Sequence, residues 1–520
     1  MAKRKGRYPK GHASVATRIM PAIQTIWRQA DRSADKGILR FFLVTSAVFG
    51  ILFLLFTPPF QVPDEISHFY RAFAISEGHV IMQRQDGVIG AALPLSIHAA
   101  TSVSANLPFH AEERQDREML RLMLRRPLLP QERAFIQVSG AANYAPVPYF
   151  PHILGIWTGR LLGVPALGLL YMARLFGLAA YIFLVGVSIR IIPWGKGFLT
   201  VLALLPMSLT EAMGVSADSV TLGLSFLLFA LVMRRRMQIR TGAAAGTTAQ
   251  SGLRVRIGAL PLACTGIPAG EWFLYVLLSA TLPLCKNLYI LMLGLLLLLP
   301  LGQMETAIRR LAARRALFQA AGVLVCWATA LLVFLLWNRQ VAQFSTATPI
   351  PGADPAMQLQ FMLRQPIQAF RVLVGSMTAQ LPQNLAGVIG ILGWLDTPLP
   401  KPVYLSFGAM LAALLLLDGP QKDLAGFGKT AWSRIYAALL HLGISFAIYG
   451  SLYVVWTPVA GHEVGGVQGR YFTVLLPLLL AACGTRPSRG GSRIKWLMLS
   501  LVPVLLGISL QTAFMRFWGP

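Results

Sequence analysis

Long apolar runs recur from one end of this 520-residue chain to the other, and they constrain its fold more than any other feature. Each has roughly the 15 to 25 residues that a bilayer-crossing helix needs. Backbone polar groups in hydrocarbon must be paired within their own segment, so we expect helices. We place the runs at 40–57, 147–163, 166–190, 197–213, 216–234, 271–284, 287–301, 317–338, 402–418, 432–457, 471–484 and 496–515. The predicted fold class is an all-α polytopic membrane protein with about 11–13 transmembrane helices.

The charges support this class and indicate an orientation. Only 13% of the residues are charged, against roughly 25% in soluble domains. The net charge of +26 would also suit a nucleic-acid-binding protein, but the Lys and Arg residues lie between the apolar runs, near 1–40, 234–256, 309–315 and 485–495. Basic loops of this kind mark the cytoplasmic face. We therefore expect a cytoplasmic N-terminus, membrane lipids as partners, and no nucleic acid.

The same pattern predicts the domain organisation. Residues 1–39 form a basic cytoplasmic segment, and 40–520 form the transmembrane domain, with 40–57 as an uncleaved signal anchor. Within it we expect a folded periplasmic loop at 58–146, a cytoplasmic linker at 235–270 and a periplasmic loop region at 339–401. This topology leaves 147–163 beginning and ending outside, so it is re-entrant or interfacial, or one run is misassigned. The four cysteines show no disulfide or metal-binding spacing.

An acidic motif follows the first apolar run directly. It places Asp64, Glu65, His68 and Arg71 at a membrane surface. Ionisable groups at that depth are costly and usually serve a function. The alternative is a helix stop with an Asp-Glu N-cap for the next helix.

Further polar residues are expected on the same outer face: Tyr144, Glu211, Asp218, Lys286, Asp396, His462, Glu463, Gln468, Arg470 and Tyr471. Singly, each has a structural alternative: a helix cap, a snorkelling lysine or an interfacial arginine. Together they suggest chemistry on a phosphate at the membrane surface. Carboxylates can deprotonate a hydroxyl or hold a divalent cation. Lysine and arginine bind phosphate. A lipid-linked phosphosugar presents its phosphate at this depth.

Several motifs resemble one bacterial membrane protein family, domain of unknown function 2142 (DUF2142), over about 45–480 of the chain. They are Pro-Asp-Glu-x-x-His-Phe-x-Arg at 63–71, Leu-Pro-Met-Ser…Ser-x-Asp ending at Asp218, Lys286 in its apolar setting, Gly-Trp-Leu-Asp at 393–396 and Gln-Gly-Arg-Tyr-Phe at 468–472. That family in turn resembles the GT-C glycosyltransferases, such as protein O-mannosyltransferases and aminoarabinose transferases. Those enzymes carry an acidic motif in the first external loop and use polyprenyl-phosphate donors, which implies a GT-C-like bundle here.

The resemblance implies a glycosyltransferase of the bacterial inner (plasma) membrane. It would move a sugar from a polyprenyl-phosphate donor to an envelope glycan, lipid or protein on the periplasmic face, by an inverting or a retaining route. We expect Asp64 to be the catalytic base, or with Asp218 the ligand of a Mg or Mn ion, and Glu65 to be the second candidate. Lys286 and Arg470 would bind the donor phosphate. The other site candidates are His68, Arg71, Tyr144, Asp218, Asp396, Gln468 and Tyr471.

Two other functions fit the same residues. A transporter or flippase of lipid-linked saccharides would show charges at the bilayer midplane and internal repeats, and neither is evident. A polymerase or ligase that uses lipid-diphosphate donors would have similar cationic needs.

Overall fold

The computed structural model of the protein describes residues 36–248, 267–299, 309–344, 350–419, 431–483 and 491–519. Most of the basic segment 1–39 and much of the linker 235–270 lie outside these ranges. The helices are α1 (Lys36–Phe56), α2 (Glu65–Ser76), α3 (Leu95–Thr101), α4 (Arg117–Arg125), α5 (Phe150–Leu161), α6 (Ala166–Ile191), α7 (Lys196–Ala203), α8 (Pro206–Met213), α9 (Asp218–Thr248), α10 (Ala269–Cys285), α11 (Arg309–Val341), α12 (Pro355–Arg364), α13 (Pro366–Ala379), α14 (Leu381–Ile389), α15 (Lys401–Leu417), α16 (Ala431–Val455), α17 (Arg470–Thr473), α18 (Leu476–Cys483) and α19 (Gly491–Trp518).

The all-α polytopic class is confirmed, and each predicted apolar run overlaps a helix. Within the described ranges, five helices are long and apolar enough to cross a membrane, at Lys36–Phe56, Ala166–Ile191, Leu317–Phe344, Trp432–Val455 and Ile494–Trp518. The pair α7 and α8 adds a sixth if it is one span bent by 61°. Three shorter apolar helices are α10, α15 and the stretch Asn287–Leu298. That last stretch is a 3₁₀ helix rather than an α-helix. The span count of about 11–13 stays a prediction.

Helix α5 explains the one run that did not fit the predicted topology. Its 12 residues extend over about 18 Å, which is well short of a bilayer core of about 30 Å. The helix folds back against α6 and also touches α2, where Trp157 Nε1 donates to the Ser76 carbonyl at 2.8 Å. These features agree with a re-entrant or interfacial segment.

The first loop is a folded unit built around a small antiparallel sheet. Its strands are β1 (Gln83–Gln85), β2 (Val88–Pro94) and β3 (Arg133–Gln137). The dipeptide Asp86-Gly87 joins β1 to β2 with φ values of 50° and 81°, the left-handed conformation that two-residue hairpins require. The unit has an apolar core that includes Phe69 and Leu93.

Two further features belong to the C-terminal half of the chain. The hairpin of β4 (Ile391–Leu392) and β5 (Thr397–Pro398) follows α14. At the end of α19, Arg516 donates to the carbonyls of Leu107, His110 and Glu113 at 2.7–2.9 Å. The Trp518 ring N–H donates to the Phe56 carbonyl at 2.6 Å. Helix α19 therefore contacts both the first loop and the end of α1.

Candidate functional site

Asp64 stands just before α2 in a strained backbone conformation. Its φ of 63° and ψ of 5° are left-handed, a region that costs free energy for a residue with a Cβ. It occupies the N-cap position, yet its side chain makes no capping hydrogen bond. That side chain is 59% exposed. The N-cap alternative therefore does not account for this carboxylate, which is largely open to solvent.

Glu65 is fully buried and faces the other way. Arg174 in α6 grips it with two hydrogen bonds, Nε to Oε1 at 2.8 Å and Nη2 to Oε2 at 2.6 Å. The Val215 amide also donates to Oε1 at 2.9 Å. Arg174 further donates to the carbonyls of Thr57 and Pro58, both at 3.0 Å. Glu65 thus fixes the entry of the first loop through Arg174, whereas we expected it to be the second candidate for the catalytic residue.

Arg470, at the start of α17, joins three carboxylates. Its Nη1 donates to Glu211 Oε1 at 2.7 Å and lies 3.8 Å from Asp218 Oδ2, and its Nη2 lies 3.7 Å from Asp64 Oδ2. The Nε donates to Gln468 Oε1 at 2.6 Å. Asp64, Glu211, Asp218 and Arg470 therefore meet at one point, although they come from separate parts of the chain.

The local backbone explains how these residues reach each other. Glu211 lies on α8, which follows the bend between α7 and α8. On the opposite side, Gly469 packs against Gly387 of α14, where a Cβ on Gly387 would lie 3.1 Å from the Gly469 Cα. Side chains at these glycines would push α17 away, so this close approach requires glycine.

Lys286 extends the cluster from the end of α10. Its ammonium pairs with Asp218 Oδ1 and lies 5.2 Å from the centre of the Tyr471 ring. Both side chains line a cavity of about 370 Å³. The polar part of its lining comes from Asn143, Tyr144, Lys286, Asn287, Tyr289, Ser451 and Tyr471, and the apolar part comes from Leu284, Cys285, Leu288, Ile448, Leu452 and Val455.

His68 and Arg71, both on α2, contact Tyr144, which lines this cavity. His68 Nδ1 lies 2.5 Å from the Tyr149 hydroxyl, and its ring contacts the Tyr144 ring edge-on with centroids 5.0 Å apart. Burial lowers the pKa of His68 to about 3, and Lys286 and Arg470 act in the same direction against Asp218. Arg71 donates to the Tyr144 carbonyl at 2.7 and 3.1 Å. Both residues therefore position Tyr144.

Asp396 does not join the cluster, contrary to our expectation. Its Oδ2 accepts from the Phe109 amide at 2.9 Å and lies 3.6 Å from Arg516 Nη2. The neighbouring Trp394 donates to the Phe60 carbonyl at 2.9 Å. These contacts anchor the β4–β5 hairpin to the first loop. Two groups on one membrane face can lie far apart laterally, which is why Asp396 stays outside the cluster.

Asp64 and Asp218, the expected ligands of a divalent cation, both lie beside cationic side chains. They flank the Arg470 guanidinium, and Asp218 also pairs with Lys286. No group of three His, Cys, Asp or Glu side chains suited to one metal ion occurs among the residues that the structure describes. Positive charge from Arg470 and Lys286 therefore lies next to these carboxylates.

Two residues of the site, Arg174 and Glu211, are not among the predicted site candidates, although each carries a sequence signal. Arg174 is an arginine within a long apolar run, which is itself a signal of function or pairing. Glu211 lies on the predicted outer face but was given no role, and it proves to be the closest carboxylate partner of Arg470. Tyr289 lines the cavity and donates to the Tyr471 carbonyl at 3.0 Å, and Tyr149 contacts His68. No sequence pattern distinguishes these two from other tyrosines in apolar runs.

Comparison with known proteins identifies the family. The family model described as predicted membrane protein (DUF2142) matches residues 47–264 and 253–479. No curated protein and no solved structure is significantly similar to the chain. The matched regions include the acidic motif, Glu211, Asp218, Lys286 and Arg470. Because they cover well over half of the 520 residues, the chain belongs to DUF2142, a family of predicted membrane proteins.

Proposed function

We propose that this membrane protein is a GT-C-type glycosyltransferase that moves a sugar from a polyprenyl-phosphate donor to a cell-envelope acceptor. The cavity beside Lys286 carries the proposal. Its lining includes a cation and two phenol hydroxyls, from Lys286, Tyr144 and Tyr471, and it adjoins the carboxylate cluster through Asp218. Its lining also includes the apolar side chains of Leu284, Leu288, Ile448, Leu452 and Val455. A lipid phosphate has this same division into a charged head and a hydrocarbon chain.

The cations can still accept a phosphate although they are paired. A lysine ammonium has three donors and a guanidinium has five, and Asp218 and Glu211 use only some of them. Arg470 Nη2 is 3.7 Å from Asp64, which is longer than a hydrogen bond. Burial raises the pKa of Tyr144, although Lys286 opposes this, so its hydroxyl keeps the proton that it would donate to a phosphate oxygen.

The proposed reaction gives each of these residues a role. Asp64 takes the proton of the acceptor hydroxyl as that oxygen attacks the anomeric carbon of the donor sugar. The bond between the anomeric carbon and the phosphate oxygen breaks, and its electron pair leaves with the polyprenyl phosphate. Lys286 and Arg470 stabilise the charge that develops on the leaving phosphate. Because Asp64 is exposed, it can then return its proton to water.

The positive-inside rule supports the cellular placement. Basic segments such as 234–256 and 485–495 would be cytoplasmic, together with the N-terminus. The first loop and the cluster would then face the periplasm, at the outer side of the inner membrane. Donor and acceptor would meet there.

The decisive experiment is sugar transfer by the purified protein in proteoliposomes. A polyprenyl monophosphate carrying a radiolabelled sugar is the donor, and an envelope extract supplies acceptors. We expect labelled product and free polyprenyl phosphate in equal amounts, and neither with Asp64→Asn. Asp86→Asn is the matched control, because Asp86 is also a left-handed aspartate of the first loop but lies in the β1–β2 turn. Translocation of intact labelled donor without its cleavage would instead establish a flippase and overturn the proposal.

A further inference from the structure

A second cavity, of about 540 Å³, lies beside the first one and differs from it in chemistry. Its lining includes Ile75 at the end of α2, Val147 just before α5, Phe150 and Trp157 on α5, Leu224 on α9 and Thr281 on α10. The last turns of α10 separate the two cavities, since Thr281 faces this one while Leu284 and Lys286 face the other. The loop before α5 also separates the two cavities. Asn143 and Tyr144 line the first cavity, and Pro146 and Val147 line the second.

The two polar side chains in the lining of the second cavity, Thr281 and Trp157, both donate their hydrogens to backbone carbonyls. The Thr281 hydroxyl donates to the Leu277 carbonyl at 3.0 Å, and the Trp157 ring N–H donates to the Ser76 carbonyl at 2.8 Å. The other lining side chains are apolar. A buried water needs two to four polar partners, and apolar cavities of this kind stay dry and take apolar ligands. Hydrocarbon is therefore the occupant that fits.

The rim connects this cavity to the bilayer. The Phe150 and Trp157 side chains are 58% and 44% exposed, and both lie on the short helix α5, which does not span the membrane. A lipid chain can therefore enter sideways. Its headgroup would lie toward the segment 143–147, whose other face borders the donor cavity.

We infer that this cavity binds the hydrocarbon chain of the acceptor, so the sugar passes to a membrane lipid rather than to a protein or a soluble glycan. This inference rests on the proposed function. The donor chain already has an apolar wall in the first cavity, formed with α16. A second, separate apolar cavity on the other side of the same loop therefore suits the second substrate. A lipid acceptor would bring its hydroxyl to Asp64 from the bilayer.

Photolabelling tests the occupant without requiring turnover. Proteoliposomes would contain either phosphatidylethanolamine with a diazirine in its acyl chain or polyprenyl phosphate with a diazirine in its chain. We expect the phospholipid probe to label α9 and α10 near Leu224 and Thr281, and the polyprenyl probe to label α16. Leu224→Trp fills the cavity and should reduce phospholipid labelling at least about tenfold. Leu224→Phe is a milder filling variant, for use if the first one melts early. Leu277→Trp is the matched control, because Leu277 is 46% exposed on α10 and does not line either cavity.

Three results would overturn the inference. Phospholipid labelling that is unchanged by both filling variants would mean ordinary annular lipid. Polyprenyl labelling at Leu224 would assign the cavity to the donor. Transfer to a water-soluble glycan at equal rates in the native protein and Leu224→Trp would exclude a lipid acceptor. If the native protein shows no transfer at all, the proposed function fails, while the labelling pattern still decides whether the cavity holds a lipid chain.

Discussion

Arg470 Nη2 and Asp64 Oδ2 lie 3.7 Å apart, and this contact joins the first loop of the chain to the start of α17. On its other side the same guanidinium holds Glu211 at 2.7 Å. Arg470 thus sets the position of an exposed carboxylate relative to the cavity that Lys286 lines. Its planar fork can hold two oxygens in fixed directions, which a lysine ammonium cannot do.

Asp64→Asn should reduce sugar transfer by roughly a hundredfold or more, the usual cost of losing a general base. The side chain is 59% exposed and makes no capping bond, and asparagine tolerates the left-handed backbone. Folding and donor affinity should therefore persist, as melting temperature and donor binding would show. Near-native transfer by this variant would remove Asp64 from the mechanism.

Lys286→Ala and Arg470→Lys should both weaken donor binding. The first removes a charge from the cavity, and the second keeps the charge but loses the fork. Donor affinity should be measured together with melting temperature, with Lys401→Ala as the control, because Lys401 is an exposed lysine at the start of α15. If donor affinity is unchanged in both variants, these residues are structural and only the carboxylates support a phosphosugar site.

Glu65→Leu or Arg174→Met should each destabilise the protein by about 3–5 kcal/mol, the cost of leaving one buried charge unpaired. The double variant Glu65→Leu/Arg174→Met should cost less than the two single changes together, since neither charge remains. A double-mutant cycle on thermal unfolding in detergent measures this. Glu112→Gln is the control, because its pair with His110 is exposed and should contribute little. Additive single effects would argue against the coupling.

His68 should make the protein less stable in acid. Its folded-state pKa of about 3 lies below the unfolded value of about 6.5, so the unfolded chain binds the proton more tightly. Stability should fall as the pH drops from 6.5 towards 3, by about 1.4 kcal/mol per pH unit from this group. His68→Gln should reduce this slope, whereas His110→Gln, at an exposed site, should keep it. The measurement is melting temperature against pH, and equal slopes in all three proteins would contradict the prediction.

Cysteine labelling should place the first loop outside and the 235–270 linker inside. Glu112 has a side chain that is 72% exposed. In a protein without its native cysteines, Glu112→Cys should react with an impermeant reagent in spheroplasts, and Ser251→Cys should react only after lysis. The reverse labelling pattern would contradict both the predicted orientation and the periplasmic placement of the site.

The sequence by itself determined the class of the protein and the positions of its helices. Long apolar runs have only one way to pair their backbone groups in lipid, so hydropathy alone located helices such as α1, α6 and α16. It also singled out Asp64, Asp218, Lys286 and Arg470, because ionisable groups beside such runs are costly. Tertiary structure decided which of these residues meet. Glu65 pairs with Arg174 and Asp396 lies beside Arg516, while Glu211 pairs with Arg470. Hydropathy fixes the depth of a residue in the membrane, whereas lateral packing of the helices decides its neighbours.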